Sequence, residues 1–486
     1  MNTVFEAEPV AALNAELQAF RGEVTEAIDS LVSGMLDLQD TRLGPLEAEA
    51  GRIDRRLQAL EQRGTQLQAL THQLNEVAQA LALERTCRSL AETSQMCEKA
   101  RTVVFVGRPH FGCNVKYAWL AALERAEQAG YACWFLPFDA EQEALVRTLT
   151  PNCLPSDHRL WSVEHVKLAQ HTAVLVIGDH VHSAAHPNPY APALFKGARW
   201  VQLWHGISIK EVGLQYPMPL AGMTPFWADA FASCGRYATF LGSSTGARAE
   251  WRRWFSFERY SAVGYPRSDV LLREPTARDL LNVDVDAMQQ ARATRRAGGR
   301  SVLYVPTFRD NDSGWIMNVG LDRLSQLLAE RGDTLFVNLH PLEYGDVPAL
   351  QRRFPAVRFV RGRSDLYPLL REVSVLVTDY SSLMFDFLPM QRPIVFYRPD
   401  HERYVSGSRP LYDAKVSRLP GRECRSLDDL LTAFAGDAAT LDAPYAALRD
   451  ELTTRLFDRI DDQASARVLD LIEDELALAL AADAPR

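Results

Sequence analysis

Two histidines and two short polar turns carry the residues of this chain best suited to chemistry. Trp204-His205-Gly206 follows an apolar run, with Lys210 just beyond it. His340-Pro341 follows a second run, and Thr378-Asp379-Tyr380-Ser381-Ser382 follows a third and leads into a helical stretch. Pro306-Thr307-Phe308-Arg309-Asp310 follows a fourth. An imidazole near neutral pH is a general base or a donor to a phosphate oxygen. Pro341 pushes His340 towards extended backbone, and Gly206 allows close approach or an unusual φ behind His205. Small hydroxyl residues opening a helix expose free N–H groups at the positive end of its dipole, a setting that suits a pyrophosphate. The competing reading of Thr378–Ser382 is ordinary capping by Asp379 or Ser381. For each histidine it is a bond to a nearby carbonyl.

Other constellations carry less. His171, His180, His182 and His186 crowd one region beside Asp179. They fix no second ligand cluster, so a polar loop lining a cleft is preferred and no metal site is expected. Gly107-Arg108-Pro109 through Gly112-Cys113-Asn114 lacks the G-x-G-x-x-G spacing, and there is no GxxxxGK[ST]. A dinucleotide fingerprint and a P-loop are therefore unsupported. Trp251–Phe255 is read as a half-buried helix rather than a membrane or polymer contact. Seven cysteines, odd in number and without a CxxC pair, point to small buried hydrophobes rather than disulfides or zinc.

The polar turns share a position only if the runs before them are parallel strands. Short β-branched runs fall at Thr102–Val106, Tyr131–Leu136, Ala173–Ile177, Arg199–Leu203 and Tyr260–Val263. A second set falls at Ser301–Val305, Thr334–Leu339, Val357–Val360, Val373–Val377 and Pro393–Phe396. Helical stretches such as Tyr117–Gln128 and Leu321–Arg331 lie between them. Alternation of this kind gives parallel sheets with crossover helices, and two sets give two Rossmann-like, doubly wound domains. Ligands of such sheets bind outside the carboxyl ends of the strands, where the four turns lie. Residues 291–300 read as a loop with a solvated basic surface.

Residues 1–97 differ from the rest. Leu17, Val24, Leu31 and Leu38 fall seven apart, with Leu13 and Phe20 beside them, and Ile53, Leu60, Leu67, Leu74 and Leu81 repeat the spacing. Heptads of this kind predict an α-helical coiled-coil arm with a turn or kink at Gly44-Pro45. The arm is either a homo-oligomerisation device or a hairpin packed on its own body. The expected organisation is a helical arm (1–97), an acceptor domain (98–275), a nucleotide-donor domain (276–440) and C-terminal helices (441–486). A net charge of -9 argues against non-specific nucleic-acid binding. No signal peptide or apolar run of about 20 residues is present, so the expected setting is cytoplasmic, with peripheral membrane contact left open.

WHGISIKEVG (204–213), GYPRSD (264–269), VLYVPTFRD (302–310), LHP (339–341) and SDLYPLL…VLVTDYSSLMFDFLPMQRPIVFY (364–397) together resemble the CDP-glycerol glycerophosphotransferases. The resemblance runs from about residue 100 to 430, and the upstream GRPHFGCNVKY (107–117) is compatible with it. It implies a GT-B fold, no cofactor, no required metal, and transfer of a polyol phosphate from a CDP-polyol to a glycan or lipid-linked polymer with release of CMP. It further implies that His205 is the base that takes the acceptor hydroxyl proton. His340, Ser381 and Ser382 would hold the donor pyrophosphate, with Asp379 and Thr378 in that turn and Thr307 and Arg309 on the donor side. Arg267 would sit at the interdomain passage, and Gly206 and Lys210 would be further cleft residues. Ile207-Ser208 stand where the family usually has Thr-Pro. The alternatives are a GT-B glycosyltransferase or sugar-phosphate transferase using another nucleotide sugar, and a non-catalytic coiled-coil assembly factor.

Overall fold

The structure is a computed structural model. It describes residues 8–35, 43–179, 188–209, 237–309, 315–340, 343, 347–407 and 418–482. The chain divides into a unit spanning residues 1–89 and a second spanning 90–486.

The first unit is helical. Helix α1 spans Glu8–Met35, and α2 spans Leu43–Met96 and crosses the boundary between the units. Gly44-Pro45 does not make the turn between them; it lies in the first turn of α2. Proline is tolerated there because its missing N–H would have had no helical partner. On α1, Leu13, Leu17, Phe20, Val24, Ala27 and Leu31 are at least partly buried, and on α2 so are Ile53, Leu57, Leu60, Gly64, Leu67 and Thr71. Leu13 lies against Gly64, Arg56 sits 5.0 Å over the Phe20 ring, and Arg21 faces Glu61 at 3.9 Å. The pairing is antiparallel, so these heptad faces meet within the arm.

Among the described residues, the second unit holds two sheets, each six-stranded and parallel throughout. The first joins β1 (Ala100–Val106), β2 (Ala132–Leu136), β3 (Thr172–Ile177), β4 (Arg199–Gln202), β5 (Tyr237–Gly242) and β6 (Phe257–Ala262) in the order β2-β1-β3-β4-β5-β6. The second joins β7 (Ser301–Val305), β8 (Thr334–Val337), β9 (Val357–Phe359), β10 (Val375–Thr378), β11 (Ile394–Tyr397) and β12 (Arg422–Cys424) in the order β12-β11-β10-β7-β8-β9. Two strands, β5 and β12, go beyond the ten expected. The first mixes Ala238, Thr239 and Gly242 with its large residues, and the second is the three-residue Arg-Glu-Cys, so neither shows the β-branched enrichment that marks the others. Read from β9, the second order is the dinucleotide-fold order, with its reversal between β7 and β10. The first sheet reverses between β1 and β3.

Helix α3 (Cys113–Ala129) follows β1, and the short α4 (Leu383–Phe387) follows β10. The last helix, α5 (Ala464–Ala482), returns to the first sheet, where Val468, Leu469, Ile472 and Leu476 share a core with Val103, Phe105, Val174 and Val201. Its buried Glu475 accepts from Thr239 Oγ1 at 2.6 Å and Arg259 Nη2 at 2.9 Å, and it pairs with Arg199. The expected loop at 291–300 is largely helix, since Val285–Arg296 is one element. Its basic residues are not simply solvated. Arg292 and Arg295 reach the buried Glu372, and Arg300 reaches Asp333.

Candidate functional site

At the reversal of the second sheet, β7 and β10 end side by side. Thr378 is fully buried there, and its hydroxyl donates to Val305 O at 3.0 Å. Asp379 is also fully buried. Its carboxylate accepts from the Thr307 amide at 3.0 Å and the Thr307 hydroxyl at 2.6 Å, and it pairs with Arg309 at 2.9 Å. The Arg309 guanidinium also donates to both oxygens of Asp400, at 2.7 and 3.0 Å, and to Thr307 O at 2.5 Å. It lies 4.3 Å over Trp315 and 4.6 Å over Tyr404. Burial works against its charge, but the Asp400 and Asp379 carboxylates outweigh burial and hold its pKa above the ordinary arginine value.

Thr378, Asp379 and Arg309, expected in or beside the donor turn, are thus engaged with neighbouring protein groups, and Asp379 holds the turn as expected. They are a buried clamp that fixes the two loops to each other. The more open groups are Thr307, Ser381, Ser382 and His340. Ser381 Oγ accepts from the Leu383 amide at 3.3 Å, so part of the capping reading holds. Ser382 stands at the cap position of α4 without a side-chain capping bond. His340 is exposed, and its ring stacks on Phe308 at 5.3 Å.

The first sheet presents His205 two residues after Leu203. Gln202 donates to Asp179 O at 2.8 Å and accepts from the Trp204 amide at 2.8 Å. The buried Asn114 of α3 donates to Leu203 O at 3.1 Å and Trp204 O at 2.9 Å. Trp204 takes φ +48° and Gly206 φ +107°, so the chain turns sharply around the histidine. The His205 side chain is 34% exposed, and its Nδ1 lies 4.0 Å from Asp179. Its ring packs 4.1 Å from Trp204. Arg108, following β1, pairs with the same Asp179 at 2.9 Å. An imidazole beside a carboxylate and partly open to solvent can abstract a hydroxyl proton.

Arg267 is buried where the two sheets' halves meet, at the expected interdomain position. It donates to His205 O at 2.6 Å and to both oxygens of Asp386 on α4, at 2.7 and 2.8 Å. Gly206 has two reasons to be glycine: its φ, and the Arg267 guanidinium, which a Cβ would overlap. Lys210, His180, His182 and His186 lie outside the described residues. His171 is remote from this set, with its ring nitrogen 2.7 Å from Glu98 O. Among the described residues, no group of three or more His, Cys, Asp or Glu is placed to hold a metal ion. Trp251 and Trp254 point inward on a helix whose Arg252 and Arg253 are exposed.

Sequence reasoning missed three contributors. Asp386 and Asp365 find their cationic partners more than a hundred residues away, so no local spacing marks them. His110 could have been found, because it follows β1 at the carboxyl end of the sheet. Its Nδ1 is buried with no hydrogen bond among the described residues. Burial, then Arg108, Arg363 and His340, push its pKa down to about 4, against a weaker upward pull from Asp179. His110 therefore feels the Asp179 side and the His340 side of one cleft.

Residues 93–474 match the family described as CDP-Glycerol:Poly(glycerophosphate) glycerophosphotransferase. The chain is 26% identical over 290 residues to the teichoic acid glycerol-phosphate transferase of Staphylococcus aureus, covering 57% of this chain and 72% of that protein. It is 25% identical over 335 residues to the teichoic acid glycerol-phosphate primase of Bacillus subtilis, covering 66% and 80%. Against the ribitol-phosphate polymerase TarK of Staphylococcus aureus, it is 24% identical and spans 48% of that protein. In fold it is similar to the wall teichoic acid polymerase TagF, with a TM-score of 0.64 at 19% identity, covering 84% of this chain and 99% of that one.

The depressed His110 pKa makes a stability prediction. The unfolded ring titrates near 6.5, so between pH 6.5 and about 4 the unfolded chain binds a proton that the folded chain refuses. Stability should fall as pH drops through that window and level off below it. His110→Gln should remove roughly 3 kcal/mol of this loss, measured by denaturant unfolding at pH 7 and near pH 4. A variant that loses as much stability on acidification as the parent would contradict the assignment.

Proposed function

Because this chain belongs to the CDP-glycerol:poly(glycerophosphate) glycerophosphotransferase family and is thereby a transferase, we propose that it moves a polyol phosphate from a CDP-activated donor to a hydroxyl of a cell-surface polymer. The observation that carries the reading is the His205–Asp179 couple at the end of one sheet, with the Ser381-Ser382 turn at the reversal of the other. Asp179 faces Nδ1, so Nε2 of His205 takes the acceptor hydroxyl proton. The acceptor oxygen bonds to the phosphorus bearing the polyol, the bond from that phosphorus to the CMP oxygen breaks, and CMP leaves. His340, the Ser381 and Ser382 hydroxyls and nearby amides offset the charge on the pyrophosphate oxygens. Positioning and electrostatic stabilisation supply most of the rate. The reading includes no cofactor or metal. Relatives named for glycerol-phosphate and ribitol-phosphate transfer support a polyol phosphate as the moved group and a teichoic-acid-like polymer as acceptor.

The proposed setting is the cytoplasm, with peripheral contact at the inner membrane face. No helix among the described residues is long and apolar enough to cross a membrane. We assign the arm to homo-oligomerisation. Leu70, Leu74, Val77 and Leu81 on α2 are each at least half exposed and fall at 4-3-4 spacing, a seam suited to another helix.

His205→Ala should cut transfer by about 10²-fold or more while changing donor affinity by less than roughly threefold. His340→Ala and Ser382→Ala should instead weaken donor binding in titration calorimetry. Collapse of donor affinity in His205→Ala would sink the base assignment. Unchanged affinity in both other variants would place the pyrophosphate elsewhere.

Light scattering tests the arm separately. The full chain should be larger than a monomer, and Leu74→Glu with Val77→Glu should reduce its mass. An unchanged mass would remove the oligomer assignment.

A further inference from the structure

Arg267 and Asp386 stand 119 residues apart in the chain and meet between the two sheets. Arg267 follows β6, the last strand of the first sheet, and Asp386 rides on α4, one turn beyond Ser382. Both are nearly out of contact with solvent, at 4% and 5% exposure. One guanidinium nitrogen, Nη2, spans both carboxylate oxygens, and the other, Nη1, donates to the carbonyl of His205 at 2.6 Å and to Cys113 Sγ at 3.1 Å. The guanidinium carbon lies 5.5 Å from the Tyr265 ring centroid and 5.1 Å from that of Tyr367. Tyr367 also donates to Asp386 at 3.1 Å.

A buried ion pair adds little net stability, because the desolvation of both charges offsets most of their attraction. What this pair does supply is geometry. A planar guanidinium reaches two partners in fixed directions, and Gly206 leaves the space it needs. The peptide carrying His205 is thereby referenced to α4, the helix that opens at Ser381-Ser382, and not only to its own strand.

We propose that Arg267 and Asp386 are positioning residues that set His205 relative to the bound donor, so that proton abstraction depends on a contact from the donor-binding half. The inference rests on the reading of His205 as base and Ser381-Ser382 as donor site. It assigns the pair an effect on turnover rather than on donor binding. Lysine at 267 would keep the charge but cannot reach Asp386 and the His205 carbonyl together.

The test compares Arg267→Lys, Asp386→Asn and the apolar double variant Arg267→Met/Asp386→Leu with the parent, by kcat, donor KM and thermal melting. Arg267→Lys and Asp386→Asn should each lower kcat by about 10²-fold, with donor KM within roughly threefold. The double variant removes both charges together, so it should melt near the parent and still turn over as slowly as the single variants. A double variant with parental kcat would show the pair to be merely structural and overturn the proposal, as would a loss of donor affinity equal to the loss of kcat. Should the double variant fail to fold, the kcat and KM of Arg267→Lys decide by the same criteria. His205→Ala separates the two claims. Full turnover in that variant would overturn the base assignment itself, whereas an inactive His205→Ala beside a parental double variant would overturn only the coupling.

Discussion

Lys116 leaves α3 of the first half and ends, without exposed surface, on the Asp365 carboxylate of the second. All three of its N–H groups are used, on Asp365, Asp279 O and Leu281 O, each at 2.7 Å. Tyr117 donates to the same carboxylate oxygen at 2.7 Å, and the Tyr367 amide donates to the other at 3.2 Å. A charge taken this far out of water persists only when every donor and acceptor is matched. The saturated contact therefore fixes how the two halves meet. Gly112 packs against the Asp365 side chain, Asn282 donates to Phe111 O, and Arg363 donates to Pro109 O. The loop carrying Arg108 and His110 is thus braced from the opposite half.

The rest of the site follows from that junction. Each sheet reverses its strand order once, and each reversal opens a crevice at the carboxyl ends of its strands. The first crevice holds Arg108, Asp179 and His205 nearby; the second holds Thr307 and the Ser381-Ser382 turn. Neither set alone can move a group between two substrates. Brought together by the junction, one carries the base we propose and the other the turn we propose for phosphate. The buried clamp of Asp379, Arg309 and Asp400 keeps the second crevice in shape with charges that face inward, leaving the smaller hydroxyl groups for a ligand.

Local pattern made much of this legible. Strand runs, helix alternation and the polar turns after β4, β7, β8 and β10 lie in neighbouring residues, and periodicity reads neighbours well. The limits have a common cause. Arg309 and Thr378 have the type and place that suit a phosphate, but nothing local shows that Asp400, 91 residues from Arg309, and the end of β7 also engage them. Asp386 reads as one more acid on a short helix until Arg267 is set beside it. His110 required knowing that both halves face it. Partner choice at long range decides whether a polar side chain holds the frame or meets a substrate, and a single sequence does not contain that pairing.

If the Ser381-Ser382 turn is a donor site, the second crevice takes a CDP-polyol. Titration calorimetry of the intact chain with CDP-glycerol, CDP-ribitol, a UDP-sugar and a GDP-sugar, without added metal, tests it most directly. Selective binding of a CDP-polyol is the expected result. Preference for a UDP- or GDP-sugar would contradict it while leaving the fold and the anion-suited turn in place.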